Sequence, residues 1–274
     1  SVTDDVCDFC LRLNGDMEHR PWYDFPVLRR YAQFTVVVAL GALVPGHVMI
    51  VSNEHVERMA DLDATVITEL ERLIHRWSGF VTHTWQHPCF MFEHGGRTPN
   101  SGTGGCVAHA HLQLLPLAVD PVDDYDRYRR EPSVAAAIKS VDRQDYLLVI
   151  VENGYFVTTG GCGSGQFFRR RIARLLGSPD EWDYLLYPRH ANMLATLRHG
   201  GRGPGPDRSQ SGTAYRLPAG WGASATAGSA LVGVSAEEKV AARAHRAMGT
   251  TKATSSGIQW VSPPTIAGPA SRPT

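Results

Sequence analysis

The chain has 274 residues, with 27 Lys and Arg balanced by 27 Asp and Glu, and 43% of it is hydrophobic. That length holds one large domain or two small ones, and the lack of a basic excess argues against a partner such as the nucleic-acid backbone or an anionic membrane. The longest apolar stretch, residues 34–44, falls well short of the roughly 20 residues a spanning helix needs. The acidic pair Asp4-Asp5 does not suit a signal peptide, so a soluble, cytoplasmic protein is expected. Five cysteines (Cys7, Cys10, Cys89, Cys106 and Cys162) are an odd number in a long chain, which favours reduced thiols or a metal site over a disulfide framework.

Composition divides the chain near residue 199 into a folded domain, 1–199, and a tail, 200–274. Residues 34–40 and 47–51 are apolar, β-branched runs around Gly41, Pro45 and Gly46, predicted as two strands joined by a turn. Leu62, Val66, Leu70, Leu73, Ile74 and Trp77 recur at spacings of three and four, one face of an amphipathic helix within 61–80. Residues 89–93 and 107–115 are predicted strands, 146–151 and 155–158 a hairpin across Asn153-Gly154, and 166–176 a helix stopped by Gly177 and Pro179. Without regular βαβ alternation, the expected class is α+β, an antiparallel sheet backed by helices. The tail is dominated by Gly, Ala, Ser, Thr, Pro and Arg. So little apolar surface cannot offset the entropy of ordering, and mostly disorder is expected there, apart from a short capped helix at 239–248.

The densest chemistry lies between Cys106 and Pro116. Alternate side chains of a strand share a face, so His109, His111 and Gln113 are expected on one wall while Ala110, Leu112 and Leu114 enter a core. The preceding Gly-rich stretch, 95–105, includes Asn100, Ser101, Gly102 and Thr103. Backbone amides and hydroxyls in such a loop can approach an anion closely, as in a phosphate-binding nest. Near the start, Cys7 and Cys10 have the spacing at which one turn of chain presents two thiolates to a tetrahedral zinc, a redox pair being the other reading. Two further ligands are needed, and His55, His94, His109, Cys89 and Cys106 are all candidates.

Taken in order, these landmarks resemble the histidine triad (HIT) superfamily of nucleotidyl hydrolases and transferases. They are Cys7-x-x-Cys10, then Pro45-Gly46-His47-Val48 followed by His55, then Phe92-Glu93-His94-Gly95, then His109-Ala-His111-Leu-Gln113-Leu-Leu-Pro116. The resemblance covers most of residues 5–197. It implies a HIT-like antiparallel sheet with helices, a nucleotide pocket on the histidine-bearing face, and a covalent nucleotidyl intermediate on His111. It also implies a structural zinc held by Cys7, Cys10, His55 and His109. Members are often dimers, which makes a homodimer one of the states open to this chain.

The third motif position, usually His in the hydrolases, is Gln113 here, as in the galactose-1-phosphate uridylyltransferase branch and some dinucleoside polyphosphate phosphorylases. A glutamine keeps a hydrogen-bond donor for a phosphate oxygen but cannot protonate a leaving group. The expected activity is therefore nucleotidyl transfer or phosphorolysis on a nucleoside phosphate of the dinucleoside polyphosphate or sugar-nucleotide kind, with Gln113 and residues 100–103 steadying the phosphate oxygens. HIT-type hydrolysis, a non-catalytic nucleotide-binding module, and metal-assisted hydrolysis, in which His109 and His111 hold a catalytic metal and water is the direct nucleophile, are the alternatives. Trp22, Tyr23 and Phe34 are candidate base-pocket walls that read equally as core, and Arg169 and Arg170 read as phosphate contacts or as an exposed arginine-rich helix face.

Overall fold

A computed structural model describes residues 7–15, 20–96, 109–159, 166–200 and 203–204. In chain order the described elements are α1 (Asp8–Asn14), β1 (Val27–Arg30), β2 (Phe34–Val38), β3 (Val48–Ser52), α2 (Ala64–Trp85), β4 (Cys89–Gly95), β5 (His111–Pro116), β6 (Arg129–Glu131), α3 (Val134–Lys139), β7 (Tyr146–Val151), β8 (Gly154–Thr158), α4 (Phe167–Leu175) and α5 (His190–Gly200). The strands form one antiparallel sheet in the order β1-β2-β3-β5-β4-β7-β8-β6, the α+β class expected. Because β4 follows the long crossing of α2 and lies beyond β5, the histidine strand is inserted at the centre. Its neighbours are fixed by register: Val51 opposite His111, and Met49 and Phe92 on either side of Gln113.

Both faces of the sheet are covered, which is why every residue of β2 and β3 is buried rather than every second one. The apolar stripe of α2 (Leu70, Leu73, Ile74 and Trp77) packs on one face against Ile50, Leu112 and Leu114. The opposite face carries two smaller clusters. One gathers Phe9 and Leu13 of α1 with Phe25, Val37, Met49 and Val51, the other Phe168 and Ile172 of α4 with Phe90, Phe92 and Leu115. The gap between them lies over β5.

Several elements depart from expectation. The predicted strand at 107–115 begins only at His111, because residues 109–110 hook onto the turn after β3: the Ala110 amide donates to Val56 O at 2.7 Å and the Ser52 amide to Ala110 O at 3.1 Å. The helix placed at 61–80 runs over Ala64–Trp85 and ends on Gln86 in the left-handed region, φ 57°. The elements α1, α3, α5, β1 and β6 had no predicted counterpart; apart from α5 they span seven residues or fewer, too short for a periodic signal. α5 runs through Gly200, across the boundary placed at 199. The Gly-rich loop beyond Gly96 and the predicted helix at 239–248 lie outside the described residues.

Beneath the sheet, on the α2 side, Glu93 is fully buried. It accepts from the Met59 amide and from the Tyr146 hydroxyl, both at 2.7 Å. The Tyr146 ring crosses Gly95, where a Cβ would overlap it, so packing alone explains that glycine. Burial pushes the Glu93 carboxyl up to about 7. Between the ordinary carboxylate range and that value the unfolded chain is ionised while the folded chain holds the proton. Glu93 therefore contributes stability present below about 4.5 and lost as the pH climbs through 7, on the order of 3 kcal/mol. In Glu93→Gln that window disappears: urea unfolding should show a deficit against the parent at pH 5 that narrows by pH 7.5, and a pH-independent gap would contradict it.

Candidate active site

His111 opens β5 and lines the gap between the two clusters. Its Nδ1–H donates to the His109 carbonyl at 2.8 Å, which assigns the lone pair to Nε2. That nitrogen bonds to no described protein atom, and burial lowers the pKa of the ring, so it stands neutral and nucleophilic. The Phe9 ring lies edge-on to His111, centroids 5.5 Å apart.

Gln113 is held by His47, which the sequence presents only as the first residue of a predicted strand. The Leu43 amide donates to His47 Nδ1 at 3.2 Å, so His47 Nε2–H donates to Gln113 Oε1 at 2.9 Å. With its carbonyl engaged, the Gln113 amide NH2 is left as a donor with no protein acceptor among the described residues. Burial, assisted by the charge of Arg169, lowers His47 to about 3, which keeps it neutral and its tautomer single. Replacing His47 with Phe should lower kcat about tenfold to a hundredfold by freeing the Gln113 amide to rotate, while KM moves by less than roughly threefold. A variant that melts earlier but turns over at the parental rate would contradict this positioning role.

His109 does not share the pocket wall with His111 and Gln113, contrary to the alternation argument. It precedes the strand, is fully buried, and turns to Cys7, Cys10 and His55, with which its ligand atom lies in a group spanning no more than 4.8 Å. Nε2–H donates to the Ser52 carbonyl at 2.8 Å, leaving Nδ1 as a lone-pair donor 3.4 Å from Cys7 Sγ and 3.6 Å from Cys10 Sγ. His55 Nδ1 lies 3.3 Å from Cys10 Sγ. A tetrahedral zinc with ordinary Zn–S and Zn–N bonds requires S···N edges of about 3.5 Å, so the donor set and its spacing fit that ion. Burial and the neighbouring Cys7 push the Cys10 thiol up to about 11, so Cys10 ionises against a cation rather than against water. Of the other ligand candidates, Cys89 is buried in β4 and His94 lines the pocket, and Cys106 lies outside the described residues.

The gap itself is a cavity of about 410 Å³, in the range of small-molecule sites. On the α1 side its wall is Phe9, Phe25 and Met49, with Arg12 paired to Asp24 at 2.7 Å and to Asp8 at 3.4 Å. On the α4 side it is Phe92, Phe167, Arg169 and Tyr184. Of the aromatic candidates, Tyr23 lines the cavity, Phe34 is core, and Trp22 packs against that core. Arg170 stacks on Trp182 at 3.8 Å, but Arg169 is buried, which overturns its reading as an exposed face. Asn100, Ser101, Gly102 and Thr103 lie outside the described residues.

No protein-family model matches the chain, and no curated protein does. Solved structures do match at low similarity. A member of the HIT family from Bacillus subtilis is 13% identical, with a TM-score of 0.34, over 46% of this chain and 87% of its own. A zinc-bound histidine triad family protein from Mycobacterium smegmatis is 17% identical, with a TM-score of 0.31, over 47% of this chain and 86% of its own. A HIT-like protein from Bartonella henselae, solved with an unknown ligand, is 13% identical, with a TM-score of 0.32, over 41% and 76%. Function is accordingly read from the site's own residues. Among the described residues no helix is long and apolar enough to cross a membrane.

Proposed function

We propose that the chain is a histidine triad enzyme that transfers a nucleotidyl group from a nucleoside phosphate to an acceptor through a covalent intermediate on His111. The observation that carries this reading is the tautomer lock: His111 Nδ1–H bound to the His109 carbonyl at 2.8 Å, with Nε2 beside the cavity and bonded to no described protein atom, and the Gln113 amide held by His47. In that arrangement Nε2 forms a bond to the α-phosphorus as the bridging P–O bond breaks in line. The Gln113 amide steadies a non-bridging oxygen. An acceptor oxygen then forms the new P–O bond, and the N–P electrons return to Nε2. With no imidazolium at position 113, the reading favours transfer or phosphorolysis on dinucleoside polyphosphates or sugar nucleotides over hydrolysis.

Zinc, when bound by Cys7, Cys10, His55 and His109, would cross-link α1 to the residue preceding β5 and supply no step of the reaction. A complete set of two thiolates and two imidazoles leaves no open position for water, which favours a structural ion over direct metal-assisted attack. The test is incubation with a panel of nucleotides and sugar nucleotides labelled in the α-phosphate, with water, phosphate and sugar phosphates as acceptors. Label retained on protein and discharged faster by phosphate-type acceptors than by water is expected. Nucleotide binding without any cleavage would move the protein to the binding-module alternative.

A further inference from the structure

We infer that Arg169 and the first turn of α4 form a second anion subsite in the cavity, one that takes a phosphate on the side of His111 away from the nucleoside; the assignment to the leaving group or acceptor rests on the proposed His111 chemistry. Arg169 is 4% exposed, yet it forms no ion pair with any described carboxylate. Its guanidinium has five donors. Nε donates to the Trp182 carbonyl at 3.0 Å and Nη2 to the Gly41 carbonyl at 2.6 Å. Both acceptors are neutral, and Nη1 has no described acceptor.

The other buried arginine among the described residues is not left this way. Arg58, 3% exposed, is clamped by Asp61 at 2.6 and 3.0 Å, and Arg12, on the opposite cavity wall, is compensated by Asp24 and Asp8. A buried cation without a counter-ion is costly. Burial lowers Arg169 to about 10, with Tyr184 and Asp183 offsetting only part of that cost; its guanidinium lies 5.7 Å from the Tyr184 ring centroid, it remains charged at neutral pH, and the cavity it lines is where an anion can approach it more closely.

The helix supports the same charge. Gln166 enters α4 in the left-handed region with no side-chain cap on the first turn among the described residues, and the residues of that turn line the cavity with Arg169. Uncapped amides at a helix start favour an anion. The two walls are therefore unlike: apolar and charge-compensated beside α1, cationic beside α4. A nucleoside fits the first and a phosphate the second, with His111 and Gln113 between them.

This arrangement supplies what Gln113 lacks. As the N–P bond forms at His111 Nε2 and the bridging P–O bond breaks, the electron pair departs on the leaving oxygen, and a phosphate leaving group needs positive charge rather than a proton there. In reverse order, an incoming phosphate attacks the nucleotidyl histidine with its own lone pair and needs no base.

Calorimetry with inorganic phosphate at constant ionic strength tests the subsite on the full chain. His111→Ala should bind phosphate as the parent does, and Arg169→Gln at least tenfold more weakly. Arg169→Lys, which cannot keep both carbonyls and still offer a fork, should also bind more weakly and serves if the Gln variant does not fold. Parental phosphate affinity in either folded variant overturns the proposal. In a second arm, labelling of Arg169→Gln by a nucleoside diphosphate donor should slow about a hundredfold, while labelling by a nitrophenyl ester of the same nucleotide stays within about threefold; equal losses with both donors would reduce Arg169 to a scaffold residue and overturn its role. If phosphate binding depends on Arg169 but no donor labels the parent, the subsite stands and the His111 reading fails.

Discussion

With the proposed zinc at Cys7, Cys10, His55 and His109, a strong chelator should release α1 from the sheet while the eight strands remain folded. α1 has only seven residues, too few to hold a helix alone. Burying Phe9 and Leu13 contributes about 5 kcal/mol, and ordering seven residues costs about 7–14 kcal/mol. That leaves about 2–9 kcal/mol, which the Arg12–Asp24 pair and the proposed cross-link through Cys7 and Cys10 would have to supply. Limited proteolysis is expected to cut within residues 7–25 after chelation, and Cys10→Ser should behave the same way without chelator. Activity should fall in parallel, because Phe9 is then lost from its edge contacts with His109, at 5.6 Å, and His111. Full protection of α1 in metal-free protein would contradict this.

Replacing His111 with Gly removes the one protein atom proposed to bond to phosphorus. Turnover should drop by a factor on the order of 10³–10⁶, the range for losing a nucleophile. The ring is half-buried and outside the main core, and its loss removes the bond to the His109 carbonyl and the contact with Phe9, so stability should fall by no more than about 2 kcal/mol, and nucleotide affinity should persist. Added imidazole should restore part of the rate by occupying the vacated space. Equal losses of binding and turnover, with a lowered melting point, would instead mark His111 as structural.

How much of this was legible in the sequence varies by residue. The antiparallel sheet and the placement of His111 and Gln113 on one wall followed from period-two alternation, which a central strand obeys. Alternation failed at His109 because the chain there leaves the ladder to bond with Val56 and Ser52, a tertiary contact invisible to a local pattern. The convergence of Cys7, Cys10, His55 and His109 was available only from the family resemblance, since their separations of up to 102 residues carry no periodic signal. His47 was read as the start of a strand after Pro45-Gly46; its task depends on Gln113, 66 residues away. For Arg169 the sequence leaves a phosphate contact and a solvated face both open and does not separate it from Arg170; only the docking of α4 through Phe168 and Ile172 turns Arg169 inward.

The most direct measurement is the intact mass of the full chain, quenched within the first turnover at neutral to alkaline pH to spare an acid-labile phosphoramidate. The account predicts a gain equal to one nucleoside monophosphate less one water, mapped to the peptide bearing His111 and absent from His111→Gly. Substrate consumed at full rate with the protein mass unchanged at every time point would contradict it.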